Sequence, residues 1–328
     1  MLDSAACFSS GIRMKLSSQT VLRWLSAILL AVSLTACSPS AMQAWWADSV
    51  VSGKGFVSKT LDLPDGRLAW REAGSGQPVL LLHGFGGNGL VNWQAQMTDL
   101  ARDHRVLVPD LLWFGASTSQ RPPSLDAQAA ALAALLERLD LRDVRVVGLS
   151  YGGFVAQALT RRVPERISQL VMVDSPGWVY TDADARDLLS RAGVPSAEAL
   201  FVPDTPEALR RLVRLVYSHS SRDAPDWVLS DVLQYYFAGR RPSQLALIRE
   251  LNANRDHYVA TLDPAQPWPL PVVIWGSDDR IFPLPIGQRL ARALNARLIV
   301  VPGAGHNLPV DRPEHATRAL RDALAMTR

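Results

Sequence analysis

A serine flanked by glycines is the first stretch of this sequence whose residue types suggest chemistry. Residues 144–153 read VRVVGLSYGG, an apolar run that enters a G-x-S-x-G pattern and continues into a helical pattern. Gly148 and Gly152 permit a sharp strand-to-helix turn, because a Cβ at either position would collide with the flanking backbone. Such a turn exposes the hydroxyl of Ser150, so Ser150 is the candidate nucleophile.

A serine hydroxyl is a weak nucleophile at neutral pH, so it requires a base and an acid that orients the base. Downstream of Ser150, the apolar run VVIW ends in a turn that contains Asp278 and Asp279. The next apolar run, LIVV, leads into a glycine-containing loop with His306. The candidates therefore follow one another along the chain in the order serine, aspartate, histidine.

Acyl transfer also requires donors for a developing oxyanion. Upstream of the serine, the buried-strand pattern VLLL opens into HGFGG at residues 83–87, and the free N–H groups of this glycine-rich turn can face an oxyanion. His83 precedes the turn and is predicted to brace it, whereas His306 is the predicted base.

Short apolar runs alternate with helical patterns through most of the chain. This pattern predicts a mostly parallel, doubly wound sheet whose strands are buried on both faces. The predicted strands are 68–72, 79–83, 106–109, 144–149, 170–173, 272–275 and 298–301. The predicted helices are 92–102, 125–139, 152–163, 287–295 and 312–326.

The alternation stops between residues 177 and 265, where helical and proline-punctuated sequence predicts an inserted cap. The predicted cap helices are 183–191, 206–217, 224–237 and 243–261. The segment is rich in aromatic residues, which individually can serve only to pack the cap on the core. As a group they indicate an apolar acyl or aryl pocket.

These motifs together resemble the α/β-hydrolases that carry a helical cap, in the branch of esterases, lipases and C–C hydrolases. The resemblance covers residues 60–328 and rests on the 83–87 loop, the 148–152 turn and the loop that begins at Asp110. It implies an eight-stranded type of sheet, with a core formed by 58–176 and 266–328 and a cap formed by 177–265. The sequence departs from the family pattern at Leu112 and Trp113, where proline and glycine are common.

The resemblance also implies roles for individual residues. The family's acid is the third residue after the strand-end glycine, which selects Asp279, with Asp278 as the alternative. Asp174 is a second alternative, because some lipase-like members place the acid at the end of the preceding strand. The oxyanion hole is expected to consist of the backbone N–H groups of Phe85 and Tyr151.

Length and composition exclude several other classes of function. The 328 residues include 48% hydrophobic residues and carry a net charge of +3, with basic and acidic residues interspersed. No nucleic-acid partner is therefore expected. No cluster of His, Cys and acidic residues has metal-ligand spacing, so neither a metal nor another cofactor is predicted.

The amino terminus resembles an export leader. Met14 is the predicted true start, and the apolar run at 24–32 is too short for a spanning helix. The run is followed by LTAC, which resembles the bacterial lipobox and implies that Cys37 is diacylated after residues 1–36 are removed. The alternative is an uncleaved amino-terminal anchor.

If the lipobox is functional, Ser38 favours sorting to the outer membrane, with the protein facing the periplasm. Residues 37–57 are then predicted to be a tether, in which Trp45 and Trp46 either rest on the membrane or pack against the domain. The only other cysteine, Cys7, precedes the predicted start, so the mature chain would contain no internal disulfide.

These observations predict a lipid-anchored serine hydrolase of the bacterial envelope. Its predicted substrate is a small ester or a lipid with an apolar acyl group, cleaved through an acyl-enzyme on Ser150. One alternative is a hydrolase of carbon–carbon bonds in aryl diketones, which shares the same motifs. A second alternative is a non-catalytic envelope protein that uses the fold for binding.

Overall fold

The computed structural model describes residues 38–218, 224–260 and 267–326. Within these ranges the protein forms a nine-stranded sheet in the order β1-β2-β4-β3-β6-β7-β8-β9, with β5 paired to β2. The strands are β1 Val57–Leu63, β2 Gly66–Ala73, β3 Gln77–Leu82, β4 His104–Pro109, β5 Thr118–Ser119, β6 Val144–Leu149, β7 Ile167–Val173, β8 Val272–Gly276 and β9 Arg297–Val301. The first two strands are antiparallel and the pairs from β4 to β9 are parallel.

Helices cover both faces of the sheet. The helices of the core are α1 Pro39–Ser52, α2 Gly89–Leu100, α3 Leu125–Arg138, α4 Tyr151–Arg162, α11 Leu284–Leu294, α12 Leu308–Asp311 and α13 Pro313–Leu324. Buried side chains of α3, α4 and α11 form one apolar layer, and those of α1, α2 and α13 form the other. Alternate residues of β3 enter the two layers, which explains why this strand is apolar throughout. The predicted doubly wound fold is confirmed.

A helical segment lies between β7 and β8, where the sequence predicts the cap. Its helices are α5 Asp182–Ala192, α6 Ala197–Phe201, α7 Pro206–Val216, α8 Asp226–Leu233, α9 Arg241–Ala253 and α10 Arg255–Ala260. A π-helical turn, Gln234–Ala238, follows α8. Two details differ from the sequence prediction. The helix predicted at 243–261 is divided at Asn254, and the short α6 was not predicted.

Two strands and two helices of the core, α1 and the four-residue α12, were also not predicted. β1 is an edge strand whose residues are mostly exposed, so it lacks the apolar run that marks the central strands. β5 has only two residues. The segment predicted as a tether contains α1, which begins with the Ser38 side chain accepting a hydrogen bond from Ala41 N–H.

The predicted leader at 1–36 and the proposed lipidation site, Cys37, lie outside the described residues. None of the helices in the described ranges combines the length and the apolarity that crossing a bilayer requires.

Candidate active site

Ser150 occupies a strained turn between β6 and α4. Its backbone has φ 50° and ψ −117°, a conformation that residues other than glycine rarely adopt. The Ser150 N–H donates to the carbonyl of Val173, at 2.9 Å, and this bond ties the turn to the end of β7. Strained backbone of this kind is typical of functional sites, where the surrounding structure enforces it.

Close backbone packing explains the glycines on either side of Ser150. A Cβ at Gly152 would lie 2.5 Å from the carbonyl oxygen of Leu82 and 2.6 Å from that of His83. A Cβ at Gly148 would collide with the backbone of Gly152. The turn therefore closes only because both positions lack side chains.

His306 joins the serine to a carboxylate. Its Nε2 lies 2.8 Å from Ser150 Oγ and its Nδ1 lies 2.9 Å from Asp279 Oδ2. The other oxygen of Asp279 accepts hydrogen bonds from the N–H groups of Ile281 and Phe282, each at 2.8 Å. With the Nδ1 proton directed to the carboxylate, Nε2 is left free to accept the proton of the serine hydroxyl.

The two alternative aspartates occupy different environments. Asp278 is exposed and its carboxylate accepts a hydrogen bond from Ser277 Oγ. Asp174 is fully buried, and its Oδ1 accepts a hydrogen bond from Gly276 N–H at 2.7 Å. Burial raises the pKa of Asp174 well above its ordinary value, and the negative charge of Asp279 raises it further. The structure thus brings Asp279, rather than either alternative, to His306 Nδ1.

The two predicted oxyanion donors belong to residues close to Ser150, one at the start of α4 and one in the 83–87 loop. Tyr151 is the first residue of α4, and the first N–H groups of a helix have no acceptor within the helix. Phe85 follows Gly84, whose Cβ, if present, would lie 3.5 Å from Ser150 Cβ. The rings of Phe85 and Tyr151 contact each other edge to face, with centroids 5.5 Å apart.

His83 stabilises the loop that carries Phe85. Its Nδ1–H donates to the carbonyl of Gly84 at 2.7 Å, and its Nε2 accepts a hydrogen bond from Leu111 N–H at 2.9 Å. Burial lowers the pKa of His83, which favours the neutral ring that both bonds require.

Asn92 is a site residue that the sequence analysis missed. Its Oδ1 accepts a hydrogen bond from Gly84 N–H at 3.1 Å, and its Nδ2 approaches Asn307 Oδ1 at 3.4 Å. The side chain therefore links the 83–87 loop to the residue that follows His306. A sequence signal exists, because Asn92 and Gln96 are the two polar side chains among the mostly apolar buried positions of α2.

Trp113 stands at a position where glycine is common in the family pattern. This residue has φ 67°, a value that favours glycine. Its indole N–H donates to the carbonyl of Ser119 at 3.1 Å, and the side chain is buried. The preceding Asp110 accepts hydrogen bonds from the N–H groups of Gly89 and Ala116, at 3.1 and 2.9 Å. The loop thus keeps its turn although tryptophan replaces the expected glycine.

A small pocket of about 70 Å³ opens at Ser150 between the core and the cap. Its lining residues are Gly84, Phe85, Asn92, Leu149, Ser150, Phe201, Leu212, Val216, His306 and Asn307. A larger, mostly apolar cavity of about 300 Å³ lies under the cap and shares Phe201 with the first. Its charged lining residues are Asp182, Glu198 and Arg255, and Arg255 is paired with Asp182.

The carboxyl end of α7 also contacts the loop that carries His306. The Ser218 hydroxyl donates to Asp311 Oδ2 at 2.6 Å, and the same oxygen accepts a hydrogen bond from Gly305 N–H at 2.7 Å. Tyr217 Oη accepts a hydrogen bond from Asn307 Nδ2 at 3.1 Å. The cap and the histidine loop are therefore joined next to the candidate base.

In the parts of the chain that the structure describes, no group of three or more His, Cys, Asp or Glu side chains has a geometry that could hold a metal ion.

Comparison with known proteins gives a family match over most of the chain. Residues 77–313 match the family described as the alpha/beta hydrolase fold. A 2-hydroxy-6-oxo-2,4-heptadienoate hydrolase of Pseudomonas putida is 28% identical over 266 residues, which cover 77% of this chain and 91% of that enzyme.

Solved structures show the same fold. The crystal structure of a membrane phospholipase A, a bacterial virulence factor, superposes with a TM-score of 0.71 at 22% identity, covering 92% of this chain and 98% of that chain. A thermophilic esterase from Thermogutta terrifontis superposes with a TM-score of 0.64 at 26% identity, covering 82% and 97% respectively.

Proposed function

Because this chain belongs to the α/β-hydrolase fold family, we propose that it is a serine hydrolase that cleaves carboxylic esters through an acyl-enzyme on Ser150. The observation that carries this proposal is the continuous chain of hydrogen bonds from Ser150 Oγ through the His306 ring to Asp279, at 2.8 and 2.9 Å. This arrangement supplies an activated nucleophile, a base and a group that orients the base.

The reaction proceeds in two halves. Ser150 Oγ attacks the ester carbonyl while its proton passes to His306 Nε2, and Asp279 stabilises the resulting imidazolium. The oxyanion of the tetrahedral intermediate accepts hydrogen bonds from the N–H groups of Phe85 and Tyr151. Collapse breaks the bond to the alkoxy oxygen, which leaves as the alcohol with the proton from His306. Water then attacks the acyl-enzyme by the same route and releases the acid.

The lining of the pocket favours an uncharged acyl group. The described residues that surround Ser150 are apolar or neutral, apart from the catalytic His306, and include no lysine or arginine. In the adjoining cavity, Arg255 is already paired with Asp182. A dienoate substrate carries a carboxylate, whose burial without a cation is costly. Ester hydrolysis therefore suits this pocket better than cleavage of such a substrate.

Carbon–carbon bond hydrolysis is the second candidate function. It is favoured by the similarity to the Pseudomonas putida hydrolase, which extends over 91% of that enzyme's length. The same serine and histidine would serve both reactions, so the substrate, rather than the nucleophile, distinguishes the two candidates.

A single panel of substrates tests both candidates. The wild-type protein and Ser150→Ala are assayed on p-nitrophenyl esters from acetate to palmitate and on 2-hydroxy-6-oxo-2,4-heptadienoate. We expect serine-dependent release of p-nitrophenol with a chain-length optimum, and a kcat/KM for the dienoate at least about 100-fold lower. Serine-dependent cleavage of the dienoate alone would establish the second candidate instead.

We further propose that the protein is held in the bacterial envelope by acyl chains on Cys37 and faces the periplasm from the outer membrane. The support is the leader pattern that ends in LTAC and the serine that follows it. Metabolic labelling with palmitate is expected to label the wild-type chain and not Cys37→Ser. Equal labelling of both would contradict the proposed anchor.

A further inference from the structure

The outer face of α1 carries large apolar side chains in contact with solvent. Met42, Trp45 and Trp46 are 60%, 70% and 58% exposed. Their spacing of three and four residues places all three on one side of the helix. Such a cluster differs from isolated exposed apolar residues, which are common on protein surfaces, because contiguous apolar patches mark interaction sites.

The inner face of the same helix uses small side chains to hold it on the domain. Ala47 and Val51 are buried in the core layer that also includes α2. Asp48, the only charged residue of α1, accepts a hydrogen bond from Arg71 Nε at 2.7 Å. The helix is thus docked through its small residues while its large apolar residues point outward, the reverse of the usual amphipathic pattern.

The cap adds another exposed tryptophan, on the helix that adjoins the start of α1. Trp227, in the first turn of α8, is 64% exposed. One turn later, Asp231 Oδ2 accepts a hydrogen bond from Ser40 N–H at 2.7 Å, so α8 and the start of α1 adjoin. α8 packs against α7, whose Leu212 and Val216 line the pocket at Ser150.

We propose that Met42, Trp45, Trp46 and Trp227 form a membrane-binding face that lies in the interface of a phospholipid bilayer. Tryptophan prefers this interface because its ring is apolar and its N–H is polar. The outward positions of α1 carry no charged side chain, so the binding is expected to require neither anionic lipids nor low salt. The face also begins five residues after Cys37, at the end of the chain where the proposed anchor attaches.

Such docking would regulate access of substrate to the proposed ester site. It holds the cap helices next to the bilayer, so that esters embedded in lipid enter from the side on which Leu212 and Val216 line the pocket. This consequence rests on the proposed ester hydrolysis, whereas the membrane contact itself does not.

Site-directed fluorescence tests the contact in the full chain. Cys7→Ser is the parent variant, and its own labelling gives the background signal from Cys37. In this parent, an environment-sensitive thiol dye is attached in Trp46→Cys, Trp227→Cys and Val300→Cys. Val300 is a matched control, since it is 39% exposed and lies on β9, at the opposite edge of the sheet from β1. In vesicles of brominated phosphatidylcholine we expect at least about twofold quenching at positions 46 and 227 and none at 300, unchanged by 0.5 M salt.

Two results would overturn the membrane-binding face. One is dye emission that reports an equally aqueous environment at all three positions in the presence of the vesicles. The other is shielding of positions 46 and 227 in detergent-free solution before lipid is added, which would show that a second copy of the chain covers the face. Fluorophosphonate labelling of Ser150 in the same samples reports on the proposed hydrolase separately, so the two proposals can fail independently.

Activity provides a second measurement. In Trp45→Ser/Trp46→Ser/Trp227→Ser we expect turnover of a vesicle-embedded ester to fall about tenfold, while turnover of soluble p-nitrophenyl acetate stays within about twofold of wild type. Equal retention of both activities, or equal loss of both, would contradict the proposed role of the face in substrate access.

Discussion

The two sides of the pocket at Ser150 are built in different ways. On the core side, the functional groups are buried and held by backbone hydrogen bonds, as Asp279 is by two N–H groups. On the cap side, the helices contribute some buried residues to the larger core cluster and otherwise contact each other through a small apolar cluster and partly exposed ion pairs. Partly exposed ion pairs contribute little to the free energy of unfolding, about 0 to 1 kcal/mol each.

This difference predicts which substitutions the protein tolerates. On the core side, a displacement of one ångström separates groups that must touch, so it reduces catalysis. On the cap side, a similar change reshapes the pocket and leaves the catalytic hydrogen bonds intact. Substitutions in the core should therefore affect kcat, and substitutions in the cap should affect substrate preference.

The largest effect is expected at the carboxylate of the core side. Asp279→Asn cannot hold the required tautomer of His306, so kcat on a p-nitrophenyl ester should fall about 10⁴-fold. The exposed neighbour provides the matched control, and Asp278→Asn should keep kcat within about twofold of wild type. Near-wild-type turnover of Asp279→Asn would show that the acid is another residue.

A paired glycine substitution compares the rigidity of the two sides. Gly152→Ala places a Cβ 2.5 Å from the carbonyl oxygen of Leu82, so it should lower the free energy of unfolding by about 2 to 4 kcal/mol and kcat by at least about 100-fold. In the cap, Gly239 has φ −77° and its Cβ would meet nothing within 4 Å.

Gly239→Ala should therefore leave kcat unchanged and stabilise the protein by up to about 1 kcal/mol. Urea unfolding measures the free energy of unfolding of both variants, and ester turnover measures their kcat. Equal sensitivity of the two glycines would contradict the distinction between a rigid core side and a tolerant cap side.

A cap residue should control the preferred acyl chain. Phe201 separates the small pocket at Ser150 from the larger cavity under the cap, because it lines both. Phe201→Ala should join the two spaces and raise the ratio of kcat/KM for long over short esters about tenfold. Leu245→Ala, which truncates a partly buried residue of the same cap cluster, is the control and should leave this ratio unchanged.

Among the buried residues near the site, Asp174 is expected to have the smallest effect on turnover. Burial raises its pKa, so the folded protein holds a proton that the unfolded chain releases above its pKa of about 3.9. The stability from this group is complete below that pH and declines as the pH rises toward the folded-state pKa.

Asp174→Asn removes this titration. The variant should keep kcat within about threefold of wild type, and its free energy of unfolding should decline less between pH 4 and neutral pH. Urea unfolding across this range measures the difference. A turnover loss as large as that of Asp279→Asn would place Asp174 in the catalytic machinery.

The core could be predicted from the sequence because its strands must be apolar on both faces. The runs VLLL, VVIW and LIVV each locate a strand, and a loop at the carboxyl end of each carries a residue of the site. The turn at Ser150 was predictable because only glycine tolerates the observed backbone contacts at positions 148 and 152. Residues distant in sequence thus become neighbours through the topology of a parallel sheet.

Other features depend on contacts that leave weak sequence signals. Edge strand β1 is mostly exposed and carries no apolar run, and α1 lies in a segment whose large apolar residues point outward. In the cap, the π-helical turn after α8 and the division at Asn254 interrupt segments whose sequence pattern is continuously helical. Asn92 was missed because its role depends on the position of Gly84.

The central claim is that Ser150 is a nucleophile activated by His306. Its most direct test is to treat the protein with a fluorophosphonate and to locate the adduct by peptide mass spectrometry. We expect one adduct, on Ser150, formed in step with the loss of ester hydrolysis and at least about 1,000-fold more slowly in His306→Ala. Hydrolysis that persists without an adduct on Ser150, or an adduct at another residue, would contradict the account.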